Sequence, residues 1–160
     1  MSARGWRRIV ALGALGACAS HAAAVVVFTD GWMRPASAGA PSAEAYVDVR
    51  ADAALALVGV HTDIARTVEL VAAPASDPAR DAPARAGRFM LAPGEKLRFA
   101  RHGNVLRLRD IVRNAEVGES VRFEFTFEDA SHRTQSATAA IVVRGVSPPA
   151  HAGVAPGAQN

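Results

Sequence analysis

The sequence predicts an all-β protein, an antiparallel sandwich of short strands. The clearest observation is the segment Arg122–Glu128, where three phenylalanines alternate with polar residues. This two-residue period is typical of a strand with one buried face. Lys96–Ala100 and Val105–Arg109 alternate in the same way, and Ala92–Glu95 and Val117–Glu119 read as turns between such strands. No helical period of any length interrupts the pattern, so an antiparallel sandwich is favoured.

The other strands are predicted from β-branched runs and from weaker alternation. Pro35–Ser42 is rich in Pro, Ser, Gly and Ala and is predicted to be a loop. Ala72–Gly87 holds three prolines and four charges without a period, which indicates a long loop or a degraded hairpin. The remaining strands, in chain order, are Val25–Phe28, Ala45–Val49, Leu55–Val60, Thr67–Val71, Phe89–Leu91 and Thr138–Arg144.

The first residues are predicted to be an export signal. Three arginines precede a short apolar stretch, Ile9–Ala17, which is too short to span a bilayer as a stable helix. Small residues at Ala22–Ala24 fit a cleavage site, which makes 1–24 the signal peptide and Val25 the first mature residue. Leu15–Cys18 also resembles a lipobox, which would leave Cys18 as a lipid-bearing N-terminus. Both readings place the protein in a bacterial periplasm.

Removal of the signal changes the charge balance of the chain. All three arginines before Val25 leave with it, and the rest has fifteen basic and fifteen acidic residues. A nucleic-acid partner therefore has no electrostatic basis, and we expect membrane attachment only through a lipid at Cys18. Cys18 is the only cysteine, so no disulfide can close within the chain. We expect a monomer with one domain, 25–146, and a disordered Pro/Ala/Gly-rich tail, 147–160.

A series of short motifs runs through the mature part of the chain. The motifs are Trp32-Met33-Arg34, Ala45-Tyr46-Val47, Leu57-Val58-Gly59, Val68-Glu69-Leu70, Leu91-Ala92-Pro93-Gly94, Asp110-Ile111, Val117-Gly118-Glu119 and Phe123-Phe125-Phe127. In this order and spacing, the stretch from Trp32 to Arg144 resembles the PCu(A)C family of periplasmic copper chaperones, which help to metallate the CuA site of cytochrome oxidase. The resemblance implies a cupredoxin-like Greek-key β-sandwich.

The copper ligands that the resemblance implies are missing from this sequence. The family binds copper through a His after a Glu-Leu pair, a Met, and a closing His-x-Met, all soft enough for Cu(I). Valine cannot bind a metal, and arginine is a fixed cation. The corresponding positions here are Val71 for the first His, the region of Asp81 and Ala82 for the Met, and Val105 and Arg107 for the closing pair, or Asn104 and Leu106 one residue earlier.

Two residues remain as weak metal candidates. His102 lies in a polar turn just ahead of the ligand hairpin, where an ordinary exposed loop histidine is the simpler interpretation. Met90 lies in the apolar run Phe89–Leu91, where methionine by default fills the core. His61, His132 and His151 form no cluster at ligand spacing. The sequence therefore predicts no catalytic and no cofactor-binding residue, and copper only through unexpected ligands.

Two hypotheses for function follow. The first is a copper-handling accessory protein with a degenerate metal site, whose partner is an oxidase assembly protein that receives copper. The second is a metal-free interaction domain with an Arg-bearing face, which would receive an acidic partner or an anion. Catalysis is not expected, because the chain has no phosphate loop or hydrolase elbow and the Asp129–His132 segment reads as a turn. The arginines of the proposed face are Arg101, Arg107, Arg109 and Arg113, and a solvated strand face is their simpler interpretation.

Overall fold

The described part of the chain, residues 23–73 and 87–145 of a computed structural model, contains nine strands. None of these residues forms a helix that could cross a membrane. Most of the predicted signal segment, most of the long loop after Val71, and the predicted tail lie outside the described residues. The strands are β1 Val26–Met33, β2 Ser42–Ala51, β3 Leu55–Thr62, β4 Ala65–Val71, β5 Phe89–Leu91, β6 Lys96–Phe99, β7 Val105–Ile111, β8 Ser120–Glu128 and β9 Thr134–Val143.

The strands form one curled sheet in the order β4-β7-β2-β1-β9-β8-β3-β5, with β6 also paired to β2. Every pairing is antiparallel except that of β1 with β9, which joins Trp32 and Met33 to Val142 and Val143. The sheet is therefore mixed rather than purely antiparallel. A register shift between Thr29 and Trp32 lets the end of β1 pair with β9 while its start pairs only with β2.

Three phenylalanines of β8 form the centre of the core. Phe123, Phe125 and Phe127 are fully buried, as the alternation predicts. The ring of Phe28, on β1, lies 4.7 Å from that of Phe125. Each such ring contributes about 1.5–3 kcal/mol through burial of apolar area. The two walls of the curled sheet are thus held together by apolar packing across the interior.

Residues ahead of β1 are tied to the far side of the sheet. The backbone nitrogen of Ala24 donates to Gln135 Oε1 at 3.0 Å, and Gln135 Nε2 donates to the Ala24 carbonyl at 2.9 Å. The backbone nitrogen of Val25 donates to Asp52 Oδ1 at 2.8 Å. Ala24 is therefore a hydrogen-bonded part of the fold.

Strand β2 positions the two strands that matter for the site. Its first half, Ser42–Ala45, pairs with β7, and residues 47–50 pair with β6. Between β6 and β7 the chain leaves the sheet as a tight loop, closed by a 2.8 Å bond from the Ala100 nitrogen to the Asn104 carbonyl. His102 lies in this loop with a φ of 63°, in the left-handed region.

Replacement of Phe125 by alanine tests the assigned core. Phe125→Ala removes a fully buried ring that contacts Phe28, so the free energy of unfolding should fall by about 3–5 kcal/mol. Urea denaturation followed by circular dichroism measures the change. Glu124→Ala, at the neighbouring exposed position, is the matched control and should change stability by less than about 0.5 kcal/mol. Equal effects of the two variants would contradict this packing.

Candidate functional site

Pairing of β4 with β7 brings together the two positions at which the resemblance predicts copper-binding histidines. Val71 lies directly opposite Val105 in this pairing. Their neighbours Leu70 and Leu106 also pair, and both belong to the main core, which does not include Val71 or Val105. Because successive side chains of a strand point to opposite faces, the two valines share the outer face. Two imidazoles at these positions would be cross-strand neighbours, but valine offers no donor atom.

Arg107 occupies the next outward position along β7. Its Nη2 lies 3.8 Å from Glu44 Oε1, and it is opposite Glu69 in the β4–β7 pairing. Arg109 Nε donates to Glu69 Oε2 at 3.1 Å. Guanidinium–carboxylate pairs therefore fill the place where the resemblance puts the closing methionine.

The alternative register supplies no metal ligand either. Asn104 accepts a 3.0 Å hydrogen bond from the Ala73 nitrogen through Oδ1 and donates from Nδ2 to the Arg98 carbonyl at 3.3 Å. Leu106 is fully buried in the core. The region of Asp81 and Ala82, where the family methionine would be, lies outside the described residues. The described residues thus do not fit a copper ion at the position that the resemblance predicts.

The two weak metal candidates lie on separate loops and strands. His102 is exposed in the β6–β7 loop. The interpretation of Met90 as core filler is wrong, because its side chain is 69% exposed. Strand β5 has three residues, and Met90 points outward while Leu91 next to it is buried. Among the described residues, no group of three or more His, Cys, Asp or Glu side chains could hold a metal ion.

The other described histidines belong to different strands and turns from the valine pair. His61 is an exposed residue of β3. His132 lies in the β8–β9 turn, as predicted, and its Nδ1 is 2.7 Å from Glu128 Oε1. That hydrogen bond lowers the pKa of Glu128 more than any other contact, and Arg88 adds to the effect. His151 lies outside the described residues.

The predicted Arg-bearing face is only partly formed. Arg107 and Arg109 do share the outer face of β7, but each faces a carboxylate. Arg113 belongs to a different cluster, since it binds Asp63 at 2.9 Å and Glu119 at 2.6 Å. Its hydrogen bond lowers the pKa of Glu119. The arginines of β7 and Arg113 therefore bring little unbalanced positive charge to this surface.

An aromatic pair that sequence reasoning did not identify as a site lies on the same outer face. The rings of Trp32 and Tyr46, which pair across β1 and β2, are 4.6 Å apart. Tyr46 Oη donates to Glu44 Oε2 at 2.7 Å. Burial and this hydrogen bond raise the pKa of Tyr46 to about 12. The available signal was alternation in Ala45–Val49, which places a large aromatic on the outward side.

Titration of Tyr46 gives a direct test of this environment. Tyr46 is the only tyrosine of the chain, so absorbance at 295 nm reports its ionisation alone. We expect a midpoint near pH 12 in the folded protein and near 10 after denaturation. Because the pKa is raised on folding, the stabilisation is complete below pH 10 and is lost as the pH rises towards 12.

Glu44→Gln should move the midpoint back towards 10, because it removes the charge that opposes the phenolate. Thr126→Ser, a change on the distant strand β8, is the control and should leave the midpoint unchanged. Far-ultraviolet circular dichroism at each pH confirms that the protein is folded. A native midpoint at 10 would contradict the arrangement of Tyr46 and Glu44.

Comparison with known proteins agrees with the fold and with the predicted resemblance. Similar solved structures include the copper-bound PCuAC domain from PmoF2, at 24% identity and a TM-score of 0.60, covering 76% of this chain and 93% of that one. The apo PmoF2 PCuAC domain matches at 25% identity and 0.57, covering 74% and 89%. The apo PCuAC domain from PmoF1 matches at 22% and 0.54, covering 74% and 93%. The predicted cupredoxin-like all-β fold is confirmed.

A search among curated proteins found no match. The sequence model of a family described as LpqE-like lipoproteins matches residues 26–139, which include all of β1 to β8. This match covers most of the chain and nearly all of the curled sheet. Its fold is that of the solved PCuAC domains, and the protein belongs to the LpqE-like family.

Proposed function

We propose that the protein is an exported, copper-chaperone-like accessory protein with a degenerate metal site, acting in copper delivery or in assembly of the CuA site of cytochrome oxidase. The observation that carries the proposal is the pairing of Val71 with Val105, with Arg107 beside them on the outer face. The domain type supports the copper-related class, and the side chains support the loss of the ion from the inherited position.

The chemistry of Cu(I) explains why the ion is not carried at this place. Cu(I) is held by thioether, thiolate or imidazole donors, and an isopropyl group supplies none. A guanidinium is always charged and would repel a cation brought next to it. We infer that the protein acts as a monomer by contact with a copper-receiving assembly protein, and that copper is the cargo of this partner.

A second candidate is a metal-free periplasmic interaction domain that has no part in copper handling. The alternating charges on the outer face favour it, since Glu44, Arg107 and Glu69 lie side by side across β2, β7 and β4. Such a row can set the orientation of a protein partner by electrostatic complementarity. The two candidates differ in whether loss of the protein impairs a copper enzyme.

Export and attachment form the third part of the proposal. The LpqE-like description is that of a lipoprotein, and Leu15–Cys18 matches a lipobox. The two hydrogen bonds between Ala24 and Gln135 favour a processed chain that begins before residue 24. A chain that begins at Cys18 includes Ala24 and keeps both bonds. We therefore favour lipid attachment over soluble release after Ala24.

Mass spectrometry of the protein from bacterial membranes tests the attachment. We expect an N-terminal peptide that begins with an acylated Cys18. Cys18→Ser should move the protein from the membrane to the soluble periplasmic fraction, because the thiol that carries the lipid is missing. A wild-type N-terminus at Val25 in the soluble fraction would instead support cleavage after Ala24.

A titration with Cu(I) against a chromogenic chelator tests the degenerate site. We expect that the wild-type protein, His102→Ala and Met90→Leu all fail to withdraw stoichiometric copper from the chelator, because no donor set is present at the valine pair. The triple variant Val71→His, Val105→His, Arg107→Met places three of the four expected donors on one face and should compete. Tight binding by wild type that His102→Ala abolishes would contradict the proposal.

Deletion of the gene then separates the two candidate functions. Loss of an accessory protein should lower the CuA content and activity of cytochrome oxidase, and the wild-type gene should restore both. The Cys18→Ser variant, expressed to the same level, shows whether attachment is needed. An oxidase that is fully metallated in the deletion strain would contradict the accessory role and leave the metal-free interaction domain.

A further inference from the structure

We propose that a cleft on the outer face binds the carboxylate of an extended acidic peptide. The cleft, here called the Arg34 cleft, has a volume of about 430 Å³. It lies between the loop that follows β1 and the loop that joins β6 to β7. The residues that the argument uses are Arg34, Ser37, Ser42, Glu44, Tyr46 and Arg101.

The charge of the Arg34 cleft favours an anion. Arg34 and Arg101 come from different loops, and both act electrostatically on the Tyr46 hydroxyl so as to lower its pKa, against the larger effects of burial and Glu44. Glu44 is the one carboxylate among the described lining residues, and it already accepts the Tyr46 proton and faces Arg107. Arg34 makes no ion pair with any described carboxylate. Its exposed guanidinium is therefore available to a ligand.

One wall of the cleft is fixed in place before any ligand arrives. Ala36 exchanges two backbone hydrogen bonds with Ala115, at 3.1 and 2.8 Å. The Ala38 nitrogen donates to Asn114 Oδ1 at 2.8 Å, and the Gly39 nitrogen donates to the Ile111 carbonyl at 2.8 Å. A preformed wall reduces the conformational entropy that binding must overcome. Hydrogen bonds therefore hold the loop that forms this wall in one conformation.

The shape and the donors of the cleft fit a peptide. Its lining between the two arginines consists largely of small side chains, such as Ala36, Ala40 and Ala43, which leave room for an extended backbone. The hydroxyls of Ser37 and Ser42 can donate to or accept from main-chain groups. The Arg34 guanidinium offers two parallel N–H groups that match the two oxygens of a carboxylate. The volume lies within the usual range of roughly 300–1,000 Å³ for ligand sites.

This inference goes beyond the proposed function, because it names a ligand class and needs no copper. It also places the anion-binding surface at Arg34, whereas the sequence predicts it mainly on the arginines of β7. The arginines of β7 face Glu44 and Glu69, whereas Arg34 has no such carboxylate among the described residues. A partner would therefore be recognised through an acidic segment lying over Tyr46, next to the paired valines.

Fluorescence anisotropy with a labelled peptide tests the inference on the full chain. The probe is a fluorescein-labelled peptide of eight residues with three glutamates between glycines and serines, and its counterpart has glutamines instead. All samples contain a chelator, so failure here leaves the copper proposal unaffected. We expect the acidic peptide to bind and the glutamine peptide to bind at least tenfold more weakly. Equal binding of the two peptides would overturn the inference.

Matched arginine variants locate the binding. Arg34→Gln should weaken binding of the acidic peptide roughly five- to tenfold, because a charge-assisted bidentate contact is lost. Arg122→Gln makes the same charge change at an exposed position of β8 and should leave the affinity unchanged. Circular dichroism shows that both variants fold. An effect of Arg122→Gln equal to that of Arg34→Gln would show general charge attraction and overturn the assignment to the cleft.

A lipid headgroup is the competing occupant. Sedimentation with vesicles of phosphatidylcholine containing one third phosphatidylglycerol measures it. We expect no binding that depends on Arg34, because the mature chain carries no net positive charge. If vesicles bind through Arg34 while the acidic peptide does not, the cleft is a headgroup site and the peptide assignment is wrong.

Discussion

The register between β7 and its two neighbours is the constraint on which the rest of the site depends. Leu106 and Leu108 belong to the core, so every second residue of β7 must face outward. This fixes Val105, Arg107 and Arg109 on one outer face, opposite Val71, Glu69 and Thr67 of β4. A slip of one residue would bury two arginines and expose two leucines, at a cost that no surface interaction could offset. The pairing of the two valines and the ion pairs beside them follow from this single requirement.

Much of the fold could be predicted because its signals are local. The phenylalanines of β8 and the leucines of β7 alternate over enough residues to define a buried face, and both assignments are confirmed. The position of Met90 could not be predicted in this way. A run of three apolar residues has no measurable period, and only the pairing of β5 with β3 decides that Met90 faces water. The parallel pairing of β1 with β9 is also tertiary, because no local pattern distinguishes a parallel from an antiparallel neighbour.

The charge around the candidate site could not be predicted from the sequence. The motif order predicts the ligand positions at Val71 and Val105, and the sheet makes these two residues neighbours. The carboxylates that face Arg107 and Arg109 come from β2 and β4, which are distant in sequence, so the balance of charge could not be read from β7 alone. The sequence analysis identifies Arg34 only as the last residue of the motif Trp32-Met33-Arg34. Its position beside Tyr46 depends on the loop bonds to residues 111–115.

The two valines and the outer aromatic pair stabilise the same part of the sheet by burial. A histidine at position 71, where the present side chain is only 3% exposed, would have to be neutral and hydrogen-bonded whenever no metal was bound. Valine avoids this penalty, suits an extended backbone, and adds apolar area beside a strand pair that already buries Trp32 and Tyr46. With no ion bound, the sheet is therefore more stable with valines at these positions than with unpaired imidazoles. The buried aromatic pair also lies next to the cleft that Arg34 and Arg101 line. We propose that a protein partner binds in this cleft through its negative charge.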